Sequence, residues 1–280
     1  MTYDPLVSTK WLADHLDTPD VVVVNAWMPP VTDPSMAPKY PDGHIPGAVF
    51  FDINAICDTT SDLPHMLPAP HVFSSAMRKL GIGDGQTIVV YDDFGFYSSA
   101  RVWWTFLAMG VGRVHILDGG MPKWLSEGHE VTQDLPHRSE SHFTARLDNS
   151  AVADVNDVRR NLANGSRQVL DARSAARFAG SAPEPRAGLK SGHMPGALNL
   201  PFNNLIAEDG TFKTGQELSQ AFTDAGLDLN KPVTTTCGSG VTAAILTLGL
   251  TMAGARDLSL YDGSWSEWGS RDDTEVVTGS

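Results

Sequence analysis

The chain has 280 residues, 41% hydrophobic and 19% charged, with a formal net charge of −13. At roughly 150 residues per domain this is apolar material for about two globular domains. The acidic balance excludes an extended nucleic-acid surface, which needs clustered Lys and Arg to neutralise phosphates. No apolar run approaches the roughly 20 residues that cross a bilayer. The start, MTYDPLVSTKWLADHLD, lacks the basic and apolar regions of a secretory signal. Two cysteines, Cys57 and Cys237, fit a reducing compartment better than a disulfide-stapled secreted fold, so a cytoplasmic location is expected.

In chain order, 21–24 is a short β-branched run of the kind that forms a buried parallel strand. DGHIPGAVFFDI (42–53) follows, then Cys57, which reads as a buried small hydrophobe. A second strand is expected at 87–91, a helix at 97–109 ended by Gly110, and a third strand at 114–117 running into DGGMPKW. The polar stretch 138–150 reads as a linker between domains 1–137 and 151–280. Beyond it come a strand at 168–170, SGHMPGALNLPF (191–202), a strand at 232–236, a helix at 241–253 ended by Gly254, a strand at 258–261 and YDGSWSEW.

The two halves repeat. Gly43, His44, Pro46, Gly47 and Ala48 recur as Gly192, His193, Pro195, Gly196 and Ala197, and Asp118, Gly119 and Trp124 recur as Asp262, Gly263 and Trp268. Matches in one order at nearly one offset imply two homologous domains. Strand, loop, helix, strand in each half is a right-handed parallel crossover, so each domain is expected to be an α/β parallel sheet flanked by helices on both faces. His44 and His193 occur in both copies, although only one carries a cysteine, so turn architecture explains them best. Trp103, Trp104, Trp265 and Trp268 read as core or interface aromatics.

Cys237 heads the loop CGSGVT, between a strand end and a helix start. Open α/β sheets bind ligands at the carboxyl ends of their strands. A loop there offers free backbone N–H groups and the positive end of the helix dipole. Gly238 and Gly240 let the N–H groups, Val241 and Thr242 included, converge on one atom, and Ser239 or Thr242 adds a hydroxyl. A cysteine so placed is expected to act as a thiolate. A cysteine phosphatase would need an Arg six residues on, where this chain has Ala243, and the loop contains no cation. Sulfur transfer through a persulfide, cradled by N–H donors, fits better. The 144-residue offset places Asp93 opposite Cys237, an acid that would leave the first copy catalytically silent.

CGSGVTA (237–243), the paired GHIPGA and GHMPGA segments and YDGSWSEW resemble the two-domain rhodanese superfamily over essentially the whole chain. Within it the likeness is greatest to members that take sulfur from 3-mercaptopyruvate. Thiosulfate-preferring relatives usually carry cations directly after the cysteine, where this chain has Gly238 and Ser239. The resemblance implies tandem rhodanese-like domains with a Cys237 sulfur carrier in the C-terminal one, and no cofactor or metal. It implies Arg177 and Arg186, spaced by nine, as a substrate clamp for the carboxylate and ketone. It also implies a relay in which Ser239 matches the serine and His65 the histidine, with Asn54 where the family has an acid. The acceptor would be thioredoxin, a small thiol or cyanide. A thiosulfate:cyanide sulfurtransferase and a non-catalytic persulfide carrier are the alternative readings.

Overall fold

A computed structural model describes residues 3–279. It divides into two compact units. The first comprises Met1–Thr60, Leu67–Asp148 and Glu208–Thr211, and the second Ser61–Met66, Asn149–Ala207 and Phe212–Ser280.

The first unit holds strands β1 (Leu6–Val7), β2 (Val21–Trp27), β3 (Val49–Asp52), β4 (Thr87–Tyr91) and β5 (Val114–Leu117) in the order β1-β5-β4-β2-β3. Every pairing is parallel. Helices α1 (Thr9–His15), α2 (Pro70–Lys79), α3 (Ser99–Ala108) and α4 (Gly120–Ser126) cover it. All seven residues of β2 are buried, because the strand is interior to the sheet and both its faces are covered. Alternate side chains serve alternate faces. Val21, Val23, Val89 and Tyr91 pack with Leu12 of α1 and Met121 and Trp124 of α4. Phe51 of β3 meets Phe73 of α2 and Phe106 of α3.

The second unit repeats this plan with β6 (Val152–Ala153), β7 (Gln168–Asp171), β8 (Leu198–Asn199), β9 (Val233–Thr236) and β10 (Leu258–Tyr261), again all parallel, in the order β6-β10-β9-β7-β8. Its helices are α5 (Val155–Asn164), α6 (Ala175–Phe178), α7 (Gly215–Asp224), α8 (Ala243–Met252) and α9 (Ser264–Trp268). Val169 and Tyr261 pack with Val155 and Val158 of α5 and Trp265 and Trp268 of α9. The expected α/β class with parallel sheets is therefore the observed one.

The repeated HxPGA motif is a turn. Ala48 N–H donates to Ile45 O at 3.0 Å and Ala197 N–H to Met194 O at 3.1 Å. Gly47 and Gly196 take φ of 75° and 78°, the left-handed value that a Pro-Gly type II turn requires at its third position. The preceding histidines are fixtures of this turn. His44 stacks on Tyr40 with Nδ1 on Tyr40 O, and His193 stacks on Phe178 with Nδ1 on Phe178 O. Trp103, Trp104, Trp265 and Trp268 are all buried, as expected of core residues.

Three expectations change. The stretch 138–150 does not run free: Phe143 packs on Phe73, and the Arg146 and Asp148 N–H groups donate to Met109 O and Ala108 O. The first unit thereby extends to Asp148. Helix α8 begins at Ala243, two residues later than expected, because Gly240 turns the chain at φ 73° and Thr242 stands at the cap. Cys57 is half-buried in a loop, its thiol donating to Asn54 O at 3.1 Å. Burial and the nearby Asp52 and Asp58 push that thiol up, which makes it a poor nucleophile.

Candidate active site

Strand β9 ends at Thr236, and the loop 237–242 leads into α8. Cys237 is 2% exposed at the start of that loop. Its flanking peptide groups are fastened to α9. The Cys237 N–H donates to Ser264 Oγ at 3.2 Å and the Trp265 N–H donates to Cys237 O at 2.9 Å. Gly238 O accepts from both the N–H and the hydroxyl of Ser266, at 2.8 and 2.7 Å. Ser239 and Val241 are buried in the same loop, and Gly240 makes its turn.

The two arginines singled out in the sequence converge on this loop. Arg186 Nη2 donates to Ser239 Oγ across a long 3.5 Å. Arg177, the penultimate residue of α6 before Phe178, lies against Gly238: a Cβ there would meet Arg177 Nη2 at 3.1 Å. A guanidinium therefore reaches the loop from outside it, although the loop sequence holds no cation.

Arg177 is itself held. Its Nη2 is 2.5 Å from Glu184 Oε2, and Glu184 Oε1 accepts from Arg173 at 2.8 Å. Arg173 also grips Asp171, at 2.7 Å, and its guanidinium lies 4.1 Å over the Trp265 ring. The Arg173, Glu184 and Asp171 side chains are 0–2% exposed. Burial would favour neutral Arg173, but Asp171 and Glu184 outweigh it and raise its pKa. Glu184 and Arg173 were not among the residues picked out from sequence. Arg173 precedes the chosen arginines and Glu184 lies between them in RSAARFAGSAPEPR, and a lone acid among three arginines was the available signal. Ser264 and Ser266 were missed likewise, inside a quoted motif.

His65 lies on the Ser61–Met66 segment, which belongs to the second unit, half-buried with φ 61°. Asn54 lies in the first unit, where its N–H donates to Asp52 Oδ1 at 2.9 Å.

The first unit shows what the loop becomes without a cysteine, and corrects the pairing with Asp93. Strand register matches Tyr91, beside Asn25, to Thr236, beside Asp171. The next residue, Asp92, is then the counterpart of Cys237. The bond from Met121 N–H to Asp92 O, at 3.0 Å, reproduces the one from Trp265 N–H to Cys237 O. The first loop is one residue longer, so an offset taken from the helices slips by one at the strand end. The Asp92 carboxylate accepts from the N–H groups of Phe94, Ser98 and Ser99 at 2.7–2.8 Å. The cradle there is filled by the protein's own anion.

The Rhodanese-like domain family matches residues 8–127 and 154–271. The chain is 43% identical to the 3-mercaptopyruvate sulfurtransferase of Escherichia coli (strain K12), over 96% of each chain. It is 41% identical to the thiosulfate sulfurtransferase of Rattus norvegicus, over 95% of this chain and 92% of that one. The crystal structure of SseA, a 3-mercaptopyruvate sulfotransferase of Escherichia coli, superposes with a TM-score of 0.87 at 40% identity, covering 94% of this chain and 99% of that one. Two all-parallel units of one topology, one ending its central strand in a cysteine loop and the other in a self-filled loop, are thus two copies of a single domain, and the chain belongs to the rhodanese-like domain family.

Proposed function

We propose that the protein is a sulfurtransferase that takes sulfur from 3-mercaptopyruvate, holds it as a Cys237 persulfide and passes it to a thiol or to cyanide. The observation that carries this reading is the convergence of Arg177 and Arg186 on a cysteine loop whose own residues are uncharged. The Cys237 thiolate attacks the donor's sulfur. An S–S bond forms, the C–S bond breaks, and its electron pair leaves as the enolate of pyruvate, which a proton converts to pyruvate. N–H groups of residues 238–242 hold the persulfide anion. Arg186 donates to Ser239 Oγ, so the Ser239 proton is free to point elsewhere and is the group assigned to protonate the enolate. His65, half-buried in the same unit as Cys237, has the role of orienting groups around that proton.

Arg177 and Arg186 together form a fork for one carboxylate and its adjacent ketone. Arg177 is largely neutralised by Glu184, which suits a monoanion. A thiosulfate donor is the second reading, favoured by the nearness of Arg177 to Gly238 and by the 41% identity to a thiosulfate sulfurtransferase. The acceptor is thioredoxin, a small thiol or cyanide, in a reducing compartment such as the cytoplasm. Among the described residues no helix is long and apolar enough to cross a membrane.

Incubation with 3-mercaptopyruvate should release pyruvate and add the mass of one sulfur atom at Cys237. Absence of that adduct would refute the reading. Turnover with both donors then decides between them: a kcat/KM larger for thiosulfate would favour the second.

A further inference from the structure

Two side-chain contacts and one backbone contact bind α9 to the cysteine loop, and their counterparts are missing from the first unit. Ser264 Oγ takes the Cys237 N–H, and Ser266 gives both its N–H and its hydroxyl to Gly238 O. The equivalent of Ser264 is Gly120, which has no hydroxyl, and that of Ser266 is Pro122, which has neither hydroxyl nor N–H. The bond common to both units, from Trp265 or Met121, belongs to the architecture. The others accompany the cysteine.

Ser264 also occupies a position where the backbone favours glycine. Its φ is 49°, and Gly120 takes 54° at the same place. A side chain in that region costs about 1 kcal/mol or more and persists where something compensates. The hydroxyl has such a use: it accepts from Cys237 N–H and from Thr236 Oγ1 while donating to Tyr261 O at 2.8 Å.

A planar trans peptide points its C=O and N–H in opposite directions. Holding Cys237 O on Trp265 turns the Gly238 N–H away from α9. Holding Gly238 O on Ser266 does the same for the Ser239 N–H. Ser264 fixes the peptide before them, and with it the Cys237 Cα.

We propose that Ser264 and Ser266 are positioning residues: Ser266 aims the Ser239 N–H at the Cys237 sulfur, and Ser264 fixes the Cys237 backbone that carries that sulfur. Neither touches the donor. This rests on the reading of Cys237 as the sulfur carrier. A loop lacking them would still close on the helix through Trp265 but would leave the peptide planes before Cys237 and after Gly238 free to turn, weakening the cradle when charge builds on sulfur.

The test compares Ser266→Ala, Ser266→Thr and Ser264→Gly in a Cys57→Ser background, so that only one thiol reports. The readouts are the rate of Cys237 alkylation by iodoacetamide at fixed pH, the rate of persulfide formation in a single turnover, and KM for 3-mercaptopyruvate. Ser266→Ala and Ser264→Gly should each slow alkylation and persulfide formation about 10-fold, with KM changed less than about 2-fold, since loosening a donor costs less than the roughly 100-fold of deleting one. Ser266→Thr, which keeps the hydroxyl, should restore both rates. Ser264→Gly relieves the positive φ and so should fold. Unchanged rates in Ser264→Gly and Ser266→Ala, or no rescue by threonine, would overturn the proposal. If the unsubstituted loop formed no persulfide, the sulfur-carrier reading would fail, while the alkylation rates would still decide the positioning role.

Discussion

Replacing Glu184 by Gln removes one negative charge and almost no volume. Its carboxylate joins Arg173 at 2.8 Å and Arg177 at 2.5 Å, with its own side chain 2% exposed. Two unit charges at about 4 Å attract by ~4 kcal/mol at an effective dielectric constant near 20, but taking the charges out of water offsets most of that. Breaking a buried pair by removing one partner costs about 3–5 kcal/mol. Arg173 keeps Asp171, and Arg177, 21% exposed, can be screened by solvent, so the lower end applies, about 3 kcal/mol. For a domain of this size that lowers Tm by about 6–12 °C. Calorimetry measures this. The same substitution leaves the Arg177 charge uncompensated beside Gly238. A dianion gains more from that than a monoanion, so the ratio of kcat/KM for thiosulfate to that for 3-mercaptopyruvate should rise about 10-fold, or ~1.4 kcal/mol. A Tm within about 2 °C of the parent protein would mean that Glu184 does not carry the network. An unchanged donor ratio would mean that Arg177 charge does not select the donor.

Cys237→Ser should abolish sulfur transfer while preserving the far-ultraviolet circular dichroism and Tm, because a serine hydroxyl cannot carry the persulfide sulfur; Cys57→Ser should leave turnover near that of the parent protein. Arg177→Ala and Arg186→Ala should each lower kcat/KM for 3-mercaptopyruvate about 10–100-fold, the worth of a charge-assisted contact of ~1.5–3 kcal/mol. If steady-state assays find both near the parent value, the carboxylate clamp lies elsewhere. Gly238→Arg with Ser239→Lys should raise thiosulfate use and depress 3-mercaptopyruvate use. A Cβ at 238 would meet Arg177 Nη2 at 3.1 Å, so the Arg177–Glu184 pair must shift by a few tenths of an ångström to admit the first step. Equal changes for both donors would count against loop charge as the selector. In the first unit, burial and the Asp92 charge push Asp93 up to about 6, with Lys39 pulling the other way. Its folded pKa exceeds its unfolded one near 3.9, so its contribution to stability is complete below pH ~4 and is lost as pH rises through about 6. Asp93→Asn should therefore lose less stability between pH 4 and 7 than the parent protein in urea titrations; parallel curves would refute this.

Much of this was legible in the chain because it depends on local pattern. The β-branched runs at Val21 and Thr87 read as buried strands because an interior parallel strand is covered on both faces and tolerates no polar side. The two copies read as such because the Pro-Gly turns at Gly47 and Gly196 demand the same residue types wherever they occur. The cysteine loop read as an anion cradle because small residues between a strand end and a helix start have one common use in an open sheet. What remained hidden depends on partners far apart in sequence. That Asp92, and not Asp93, stands opposite Cys237 follows from strand register, which one extra loop residue displaces and a fixed offset conceals. That Arg177 is tied through Glu184 to Arg173 and Trp265 follows from burial, which decides whether a surface-looking charge is paired or solvated. And that α9 grips the loop through Ser264 and Ser266, 27 and 28 residues beyond their partners, follows from the docking of one helix on one strand end, where tertiary packing brings a hydroxyl to a peptide group that no local pattern announces.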